Sequence, residues 1–339
     1  MYQAFFGLNE RPFQLTPNPR FLFLNPRCRE ALATLRYGLS SSLGITLLLG
    51  EAGTGKTTLL RAALEAERSS EHRHVVLSNP TLATPDFYEI LSEAFSLPHV
   101  AGSKGRFLMA FERDLLERHR AGGLTALVVD EAQSLTHELF EELRLLANLE
   151  TATAKLLSLV LVGQQELADR LNDPSLRQLK QRIVLRCSLA PLNLQWTASY
   201  IAARLRVAGA VPTEVFAKDA VIAVYEASRG IPRTIGVICE NALLAGFAAQ
   251  QKPVGRSIVE EVCRDLDLSL AGRSPAGNES RPQGAGGSAG QAGRAESSSR
   301  RAPSRFWAHS RQPEQRHEQE EAEPENPGPQ DRTRLFKYF

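Results

Sequence analysis

Residues 44–58 read Gly-Ile-Thr-Leu-Leu-Leu-Gly-Glu-Ala-Gly-Thr-Gly-Lys-Thr-Thr, and this stretch decides the fold. The apolar run Ile45–Leu49 predicts a buried strand, and a helical pattern begins at Thr58. Between the two, every fixed position of the phosphate-binding pattern G-x-x-x-x-G-K-[ST] is occupied. An ordinary Gly-rich turn is the alternative interpretation, but the complete pattern with both flanks in place favours a nucleotide-binding P-loop.

The spacing within this loop suits the chemistry of a polyphosphate. Gly50, Gly53 and Gly55 allow the backbone to wrap closely, so that successive N–H groups point at phosphate oxygens. The following helix adds unpaired N–H groups and the positive end of its dipole. Lys56 is expected to reach the β- and γ-phosphates, and the Thr57 hydroxyl to ligate Mg²⁺. The predicted nucleotide-binding residues of the loop are Gly50, Glu51, Ala52, Gly53, Thr54, Gly55, Lys56, Thr57 and Thr58.

A second apolar run, which begins at Leu124, ends in two acids and has the form of a Walker B strand. Asp130 is predicted to hold Mg²⁺, usually through its water shell, because this hard cation prefers oxygen ligands. Glu131 is placed to orient and polarise the attacking water. A strand that simply ends in acids at the surface is the alternative, but the upstream P-loop favours catalysis. We therefore predict hydrolysis of ATP as well as binding.

Three further polar positions lie where such a site needs them. Gln164 follows the fourth apolar run, beside the expected γ-phosphate, and could hold the attacking water. Arg182 precedes the last predicted strand and could stabilise charge on a neighbouring subunit's nucleotide, a role for which Arg177 competes. Arg233 begins a helix after the turn Gly230-Ile231-Pro232 and could report the nucleotide state. A simple surface charge is the alternative interpretation of each arginine.

The composition indicates an ordinary globular protein. The 339 residues are 42% hydrophobic and 23% charged, and the net charge of +2 is too small to imply a nucleic-acid or membrane partner by itself. Four scattered cysteines, with no C-x-x-C pair, argue against zinc and disulfides. Because no signal peptide or apolar stretch of eighteen residues is visible, we expect a cytoplasmic protein without a transmembrane segment.

The order of patterns divides the chain into four parts. Residues 30–192 alternate apolar runs with helical patterns and predict an α/β fold, a five-stranded parallel sheet with helices on both faces. Residues 1–29 form an aromatic and Pro-rich lead-in, expected to pack without regular structure, either as a clasp or against the adenine base. Residues 193–270 predict a small helical domain, and residues 271–339 a disordered tail with an aromatic terminal peptide.

These motifs, in this order, resemble the AAA+ ATPases. The lead-in residues Phe5–Leu8 and Arg11–Phe21 are similar to the start of the ExeA/GspA-type general-secretion ATPases and the exosortase-associated secretion ATPases. Leu161–Gln164 and Leu176–Ile183 strengthen the match. The resemblance implies a P-loop NTPase αβα sandwich followed by an all-α lid domain, with ATP and Mg²⁺ as cofactors and a homo-oligomer as the working form.

The resemblance also implies roles for individual residues. It identifies Gln164 with sensor 1, Arg182 with the arginine finger and Arg233 with sensor 2. Asn79 matches the polar residue that restrains the catalytic glutamate, here Glu131. ExeA-type proteins continue into a transmembrane helix and a peptidoglycan-binding domain, and neither follows here. We therefore expect contact with the cell envelope at the inner membrane to come through partner proteins or the C-terminal tail.

Three functions remain open on the sequence alone. The first is an AAA+ ATPase whose oligomer hydrolyses ATP to drive or regulate assembly of a secretion or polysaccharide-export system. The second is a DNA-associated ATPase of the transposition-regulator type; the near-neutral charge and the lack of a recognisable DNA-binding domain weigh against it, whereas the Arg-rich tail supports it. The third is a switch that binds ATP and hydrolyses it very slowly.

Overall fold

The computed structural model describes most of the chain up to residue 268, in the ranges 1–14, 19–69, 71–78, 80–97 and 103–268. Two predictions fall outside these residues: the restraining role of Asn79 and the disordered tail at 271–339 with its terminal peptide. Among the helices in the described ranges, none combines the length and apolar content needed to cross a membrane.

Five parallel strands form a single sheet, in the spatial order β2-β3-β4-β1-β5. The strands are β1 (Ile45–Gly50), β2 (His72–Leu77), β3 (Leu124–Val129), β4 (Ser158–Gly163) and β5 (Ile183–Leu189). The strands β1, β3 and β4 are buried on both faces, which explains their continuous apolar runs. The predicted parallel sheet is confirmed, and β1 lies inside it, so the P-loop leaves from the interior of the carboxyl edge.

Helices cover the two faces of the sheet and form a separate helical part. In chain order they are α1 (Tyr2–Phe6), α2 (Pro26–Ser40), α3 (Lys56–Ala66), α4 (Thr84–Ala94), α5 (Lys104–Arg120), α6 (His137–Leu146), α7 (Gln165–Leu171), α8 (Arg177–Lys180), α9 (Leu194–Val207), α10 (Pro212–Val215), α11 (Lys218–Ser228), α12 (Pro232–Ala248) and α13 (Arg256–Asp265). The helices α2 and α3 pack on one face, where Leu35 and Leu59 join Leu48 and Val128 in one apolar cluster. The helices α4 to α8 pack on the other face. The sheet is therefore the middle layer of three.

Some boundaries differ from the sequence patterns. The strand β2 begins at His72, although its apolar run begins only at Val75, because an edge strand leaves part of its surface to solvent and accepts polar residues there. The helix α7 was not predicted. It spans 7 residues, about two turns, too short for a helical period to stand out in the sequence.

The expectation that the lead-in lacks regular structure is wrong. Residues Tyr2–Phe6 form α1, and Pro19–Phe21 form a 3₁₀ turn. Tyr2 and Phe6 lie four residues apart, so a helix places both rings on one face, and both are buried against the helical part. The Tyr2 hydroxyl donates to Glu240 Oε1 at 2.7 Å. Burial of these two rings gives this short segment a reason to be helical.

A glycine fixes the start of α12 against the end of the sheet layer. Gly230 has φ +76°, and a Cβ atom there would lie 1.7 Å from the carbonyl oxygen of Leu192. The Leu192 N–H also donates to the Gly230 carbonyl at 2.8 Å. Only glycine fits this position, because any side chain would meet the backbone. The turn leads directly into Pro232, a residue suited to the first position of a helix.

Candidate nucleotide-binding site

A cavity of about 350 Å³ lies where the P-loop, the lead-in and the helical part meet. Gly53, Gly55, Lys56, Thr57 and Thr58 line one side of it. The neighbouring loop residues shape the turn: the Thr54 hydroxyl donates to the carbonyl of Glu51 at 2.8 Å, and Gly50 ends β1 directly before Glu51 and Ala52. The loop predicted from the sequence therefore forms one wall of a cavity of substrate size.

The Lys56 ammonium is held across its own loop. Its Nζ atom donates to the carbonyl of Gly50 at 2.9 Å and to that of Glu51 at 3.1 Å. Burial lowers the pKa of Lys56 from its ordinary value, while the charges of Glu131 and Asp130 act in the opposite direction. An ammonium has three N–H donors, so two carbonyls leave one donor for a further oxygen. This arrangement suits a phosphate group on the cavity side of the loop.

Thr57 and Asp130 meet at the edge of the sheet. The Thr57 hydroxyl donates to Asp130 Oδ2 at 2.9 Å, and Asp130 Oδ1 accepts from the Glu131 N–H at 3.0 Å. The two side chains come from α3 and from the end of β3, so the fold brings the P-loop and the acidic strand together. A hydroxyl and a carboxylate are the oxygen ligands that Mg²⁺ prefers. The residues present therefore fit the predicted metal.

Glu131 adopts an uncommon backbone conformation beside this pair. Its φ is +54°, in the left-handed region that residues other than glycine seldom occupy and that clusters at functional sites. Its Oε2 atom accepts hydrogen bonds from Gln133 Nε2 and, at 3.4 Å, from Gln164 Nε2. The side chain is one of those that line the cavity. Sequence reasoning missed Gln133, whose only signal was its position two residues after Glu131.

Gln164 lies at the end of β4, next to Glu131 rather than alone at the expected phosphate position. Its backbone N–H donates to Gln133 Oε1 at 3.1 Å, in addition to the contact between its side chain and Glu131. The geometry therefore joins the ends of β3 and β4 through side-chain amides. Its role toward the attacking water stays a prediction.

Arg233 reaches the cavity from the helical part. Its backbone N–H donates to the carbonyl of Gly53 at 3.2 Å, and its side chain lines the cavity. Gly53 has φ +81°, and a Cβ atom there would lie 2.9 Å from the Cβ of Arg233. The P-loop and the first turn of α12 are thus in direct contact, which is the geometry that a sensor arginine needs. Its role as a sensor is a prediction that this contact motivates.

Four cavity-lining residues were not predicted. Phe13 and Gln14 come from the lead-in, and Tyr200 and Arg204 from α9. The Arg204 guanidinium donates to the carbonyl of Pro12 at 2.7 Å and lies 5.0 Å from the centroid of the Tyr200 ring. The four-residue spacing of Tyr200 and Arg204 on one helix face was the available signal. The lead-in is therefore both a clasp and a wall of the cavity.

Arg182 and Arg177 lie at the other end of the sheet. The Arg182 carbonyl accepts from the Ile45 N–H at 3.1 Å, at the start of β1, whereas the P-loop follows the end of that strand. Six residues of strand separate the two ends by about 20 Å. The Arg182 guanidinium donates to Asn148 Oδ1 at 2.7 Å and to the Gln178 carbonyl at 2.9 Å. Neither arginine joins the cavity of its own chain.

Comparisons with known proteins identify the relatives. The AAA domain family matches residues 39–171. General secretion pathway protein A of Aeromonas hydrophila is 44% identical over 249 residues, which cover 73% of this chain and 45% of that protein. The chain contains an AAA domain and resembles the ExeA/GspA-type AAA+ ATPases. The resemblance seen in the sequence is confirmed, although the matched part spans less than half the length of this relative.

Solved structures show the fold of this AAA+ chain. Cdc6p from Pyrobaculum aerophilum is 20% identical with a TM-score of 0.62, over 78% of this chain and 72% of that one. The ORC2 protein of Aeropyrum pernix is 16% identical with a TM-score of 0.57, over 76% and 72%. The RuvB motor of Thermotoga maritima is 16% identical with a TM-score of 0.51, over 73% and 71%. The predicted P-loop NTPase fold is confirmed, and at this identity the likeness concerns the fold alone.

Proposed function

We propose that this chain binds Mg-ATP and hydrolyses it in a homo-oligomer, to drive or regulate assembly of a secretion or polysaccharide-export system. One observation carries the proposal: the hydrogen bond between Thr57 and Asp130 joins the P-loop to the acidic strand beside Lys56 and Glu131. Phosphate binding and water activation need these groups within one cavity. An isolated P-loop would support binding alone.

Each residue then has a defined task. The loop N–H groups and Lys56 bind the phosphates, while Thr57 and Asp130 hold Mg²⁺. When bound, Mg²⁺ neutralises charge on the β- and γ-phosphate oxygens. Glu131 orients the attacking water and accepts its proton. Arg182 of a neighbouring copy stabilises the charge that develops on the transferred phosphoryl group.

The position of the helical part supports nucleotide-dependent movement. Arg233 touches the P-loop through Gly53, and Arg204 joins the lead-in to α9 through the carbonyl of Pro12. A nucleotide in the cavity would contact the sheet layer, the lead-in and the helical part together. Its hydrolysis would therefore change contacts on all three, which is how binding energy can shift the position of one part against another.

The names of the relatives support the biological setting. The most informative relative is a general secretion pathway protein, and ORC2 was solved in complexes with ADPNP and ADP. We place the function at the inner membrane, reached from the cytoplasm through a membrane or cell-envelope partner. No similar observation favours DNA as the partner, because the RuvB and Cdc6p likeness concerns the fold and the net charge is only +2.

The proposal is tested by the steady-state ATPase rate as a function of protein concentration, with and without duplex DNA. We expect a rate per molecule that rises with concentration, requires Mg²⁺ and does not respond to DNA. Strong stimulation by DNA would instead support the transposition-regulator alternative. Tight ATP binding with almost no turnover at any concentration would support the slow switch. Omission of Mg²⁺ is the control for metal-independent background hydrolysis.

A further inference from the structure

We propose that Gln133 is a positioning residue, which orients the Glu131 carboxylate toward the attacking water. The inference rests on the proposed function and adds a residue to it. Gln133 belongs to the short 3₁₀ turn Ala132–Ser134 that follows β3 and Glu131. Its side chain lies between the end of β3 and the end of β4, where it contacts Glu131 and Gln164.

The chemistry of its partners fixes which way the amide points. Gln133 Oε1 accepts a hydrogen bond from the backbone N–H of Gln164 at 3.1 Å. A backbone N–H can only donate, so the amide oxygen must face Gln164. The amide NH₂ group then faces Glu131 and donates to its Oε2 atom. The orientation of the amide is thus a consequence of the fold of β4.

The turn that carries Gln133 is held on both sides. The Arg170 guanidinium donates to the carbonyl of Gln133, and it lies 4.9 Å from the centroid of the Phe140 ring. The Ser134 hydroxyl donates to the carbonyl of Glu131 at 2.8 Å. Helices α6 and α7 therefore anchor the backbone of this turn, and the amide is presented from a fixed position.

Gly163, the last residue of β4, leaves the space that this amide occupies. A Cβ atom at Gly163 would lie 2.9 Å from Gln133 Oε1 and 2.7 Å from Leu167 Cδ2. Contacts this short are repulsive, so a larger residue would displace the amide or α7. The sheet is thus shaped to accept the Gln133 side chain at this point.

The two amides restrain the carboxylate without removing its charge. Gln133 and Gln164 both donate to Glu131 Oε2, and among the described residues no side chain donates to Oε1. The last torsion of a glutamate is otherwise broad, so this pair of bonds limits its rotation. A lysine in the same place would neutralise the carboxylate, whereas neutral amides keep it able to accept a proton. Oε1 is the oxygen that we assign to the attacking water.

The test compares Gln133→Ala with wild type and with Gln165→Ala. Gln165 is a matched control, since it is an exposed glutamine two positions after Gly163. For Gln133→Ala we expect kcat to fall about 10- to 100-fold, because a misplaced catalytic group costs that much, while KM changes less than about threefold. The affinity for ADP and the melting temperature should match wild type within error. Gln165→Ala should match wild type in all four measurements.

Gln133→Glu gives a readout that a purely structural role would not produce. The variant keeps an oxygen for the Gln164 N–H but loses the donor to Glu131 and adds a second carboxyl. Two adjacent carboxyls disfavour double ionisation, so the introduced group holds a proton at a higher pH than usual. Once protonated it again donates to Glu131. We expect its kcat, relative to wild type, to rise as the pH falls from 8 to 6.

Several results would overturn the inference. If Gln133→Ala kept the wild-type kcat, or raised it, Gln133 would not position the base. If Gln133→Ala lost ADP affinity and kcat equally, its role would be structural. A wild-type protein without ATP hydrolysis would overturn the proposed function and the positioning role together, whereas hydrolysis that is insensitive to Gln133 would overturn only the latter.

Discussion

The two ends of the parallel sheet are built differently. At the carboxyl end, hydrogen bonds within the chain connect Thr57 to Asp130 and Glu131 to Gln133, beside a cavity. At the amino end, the Arg182 guanidinium contacts only Asn148 and the Gln178 carbonyl among the described residues, and no ligand-sized cavity was found beside it in that part of the chain. The carboxyl end carries the groups that a nucleotide needs. The arginine at the amino end can serve only a nucleotide held by another copy.

Arg182→Ala therefore tests the comparison most strongly. If Arg182 acts on a neighbouring copy, kcat in the oligomer should fall about 10³-fold, because an arginine supplied in trans has effects of that size. ADP affinity should not change, since about 20 Å of strand separate Arg182 from its own cavity. Steady-state ATPase assays over a range of protein concentrations, together with ADP titrations, measure both effects.

Arg177→Ala is the matched variant, because Arg177 is the exposed arginine at the start of the same short helix. We expect it to keep most of the activity. A large loss in Arg177→Ala and none in Arg182→Ala would transfer the trans role to Arg177. An equal loss for Arg182→Ala at concentrations where the protein is monomeric would contradict any trans role.

Glu131→Gln tests the carboxyl end. Glutamine has the shape of glutamate but cannot take the proton of the attacking water, so kcat should fall about 10²- to 10³-fold. ATP binding should remain, because Lys56, Thr57 and Asp130 keep their contacts. Single-turnover hydrolysis and equilibrium ATP binding separate the two effects. Hydrolysis by this variant at the wild-type rate would show that another group is the base.

Lys56→Ala should act on binding before chemistry. The variant loses a buried ammonium with a free donor on the cavity side, and we expect nucleotide affinity to fall about 100-fold. Isothermal titration with ADP measures this loss. Lys180→Ala is the control, since Lys180 is exposed and donates to Asn172 away from the cavity. Unchanged ADP affinity in Lys56→Ala would contradict the phosphate-binding role of the loop.

The predictable parts of the site are those encoded in consecutive residues. The P-loop and the acidic end of β3 follow local patterns, and the rule that parallel strands share a carboxyl edge brings Thr57 and Asp130 together. Gln133 and Arg204 could not be predicted in the same way. Their roles depend on a partner distant in sequence: the N–H of Gln164 in one case, the carbonyl of Pro12 in the other.

The fold shows the same division. The five-stranded sheet followed from apolar runs, because strands buried on both faces need continuous apolar residues. The helix α1 in the lead-in did not, since five residues are too few for a period to be visible. It forms where Tyr2 and Phe6 find the helical part of the chain. Tertiary contact, rather than local propensity, stabilises that segment.

The edge strand β2 belongs to neither end of the comparison and should affect stability without affecting turnover. On this strand His74 is partly buried, and its Nε2 atom has no hydrogen-bond partner among the described residues. Burial lowers the pKa of His74 from 6.5, the nearby His72 lowers it further, and Glu67 acts in the opposite direction. The folded state therefore binds the His74 proton less readily than the unfolded state.

The sign of the pH effect follows from this difference. Above about pH 6.5 the ring is neutral in both states, so His74 contributes no pH dependence. As the pH falls below 6.5, the unfolded state takes up the proton first, and stability declines until the pH passes the lower pKa of the folded state. Between pH 7.5 and pH 5, His74→Gln should thus lose less stability than wild type. We expect a difference below about 1 kcal/mol, because the partly exposed ring is screened by solvent.

Urea unfolding at the two pH values measures this difference, and His137→Gln is the control because His137 is exposed. The ATPase rate of His74→Gln at pH 7.5 should equal that of wild type, since β2 supplies none of the side chains that we assign to catalysis. An identical loss of stability in wild type and His74→Gln would show that burial of this ring does not disfavour its charged form. A lowered ATPase rate with unchanged stability would instead show that the β2 edge acts on the carboxyl end of the sheet, and the division between edge and site would be wrong.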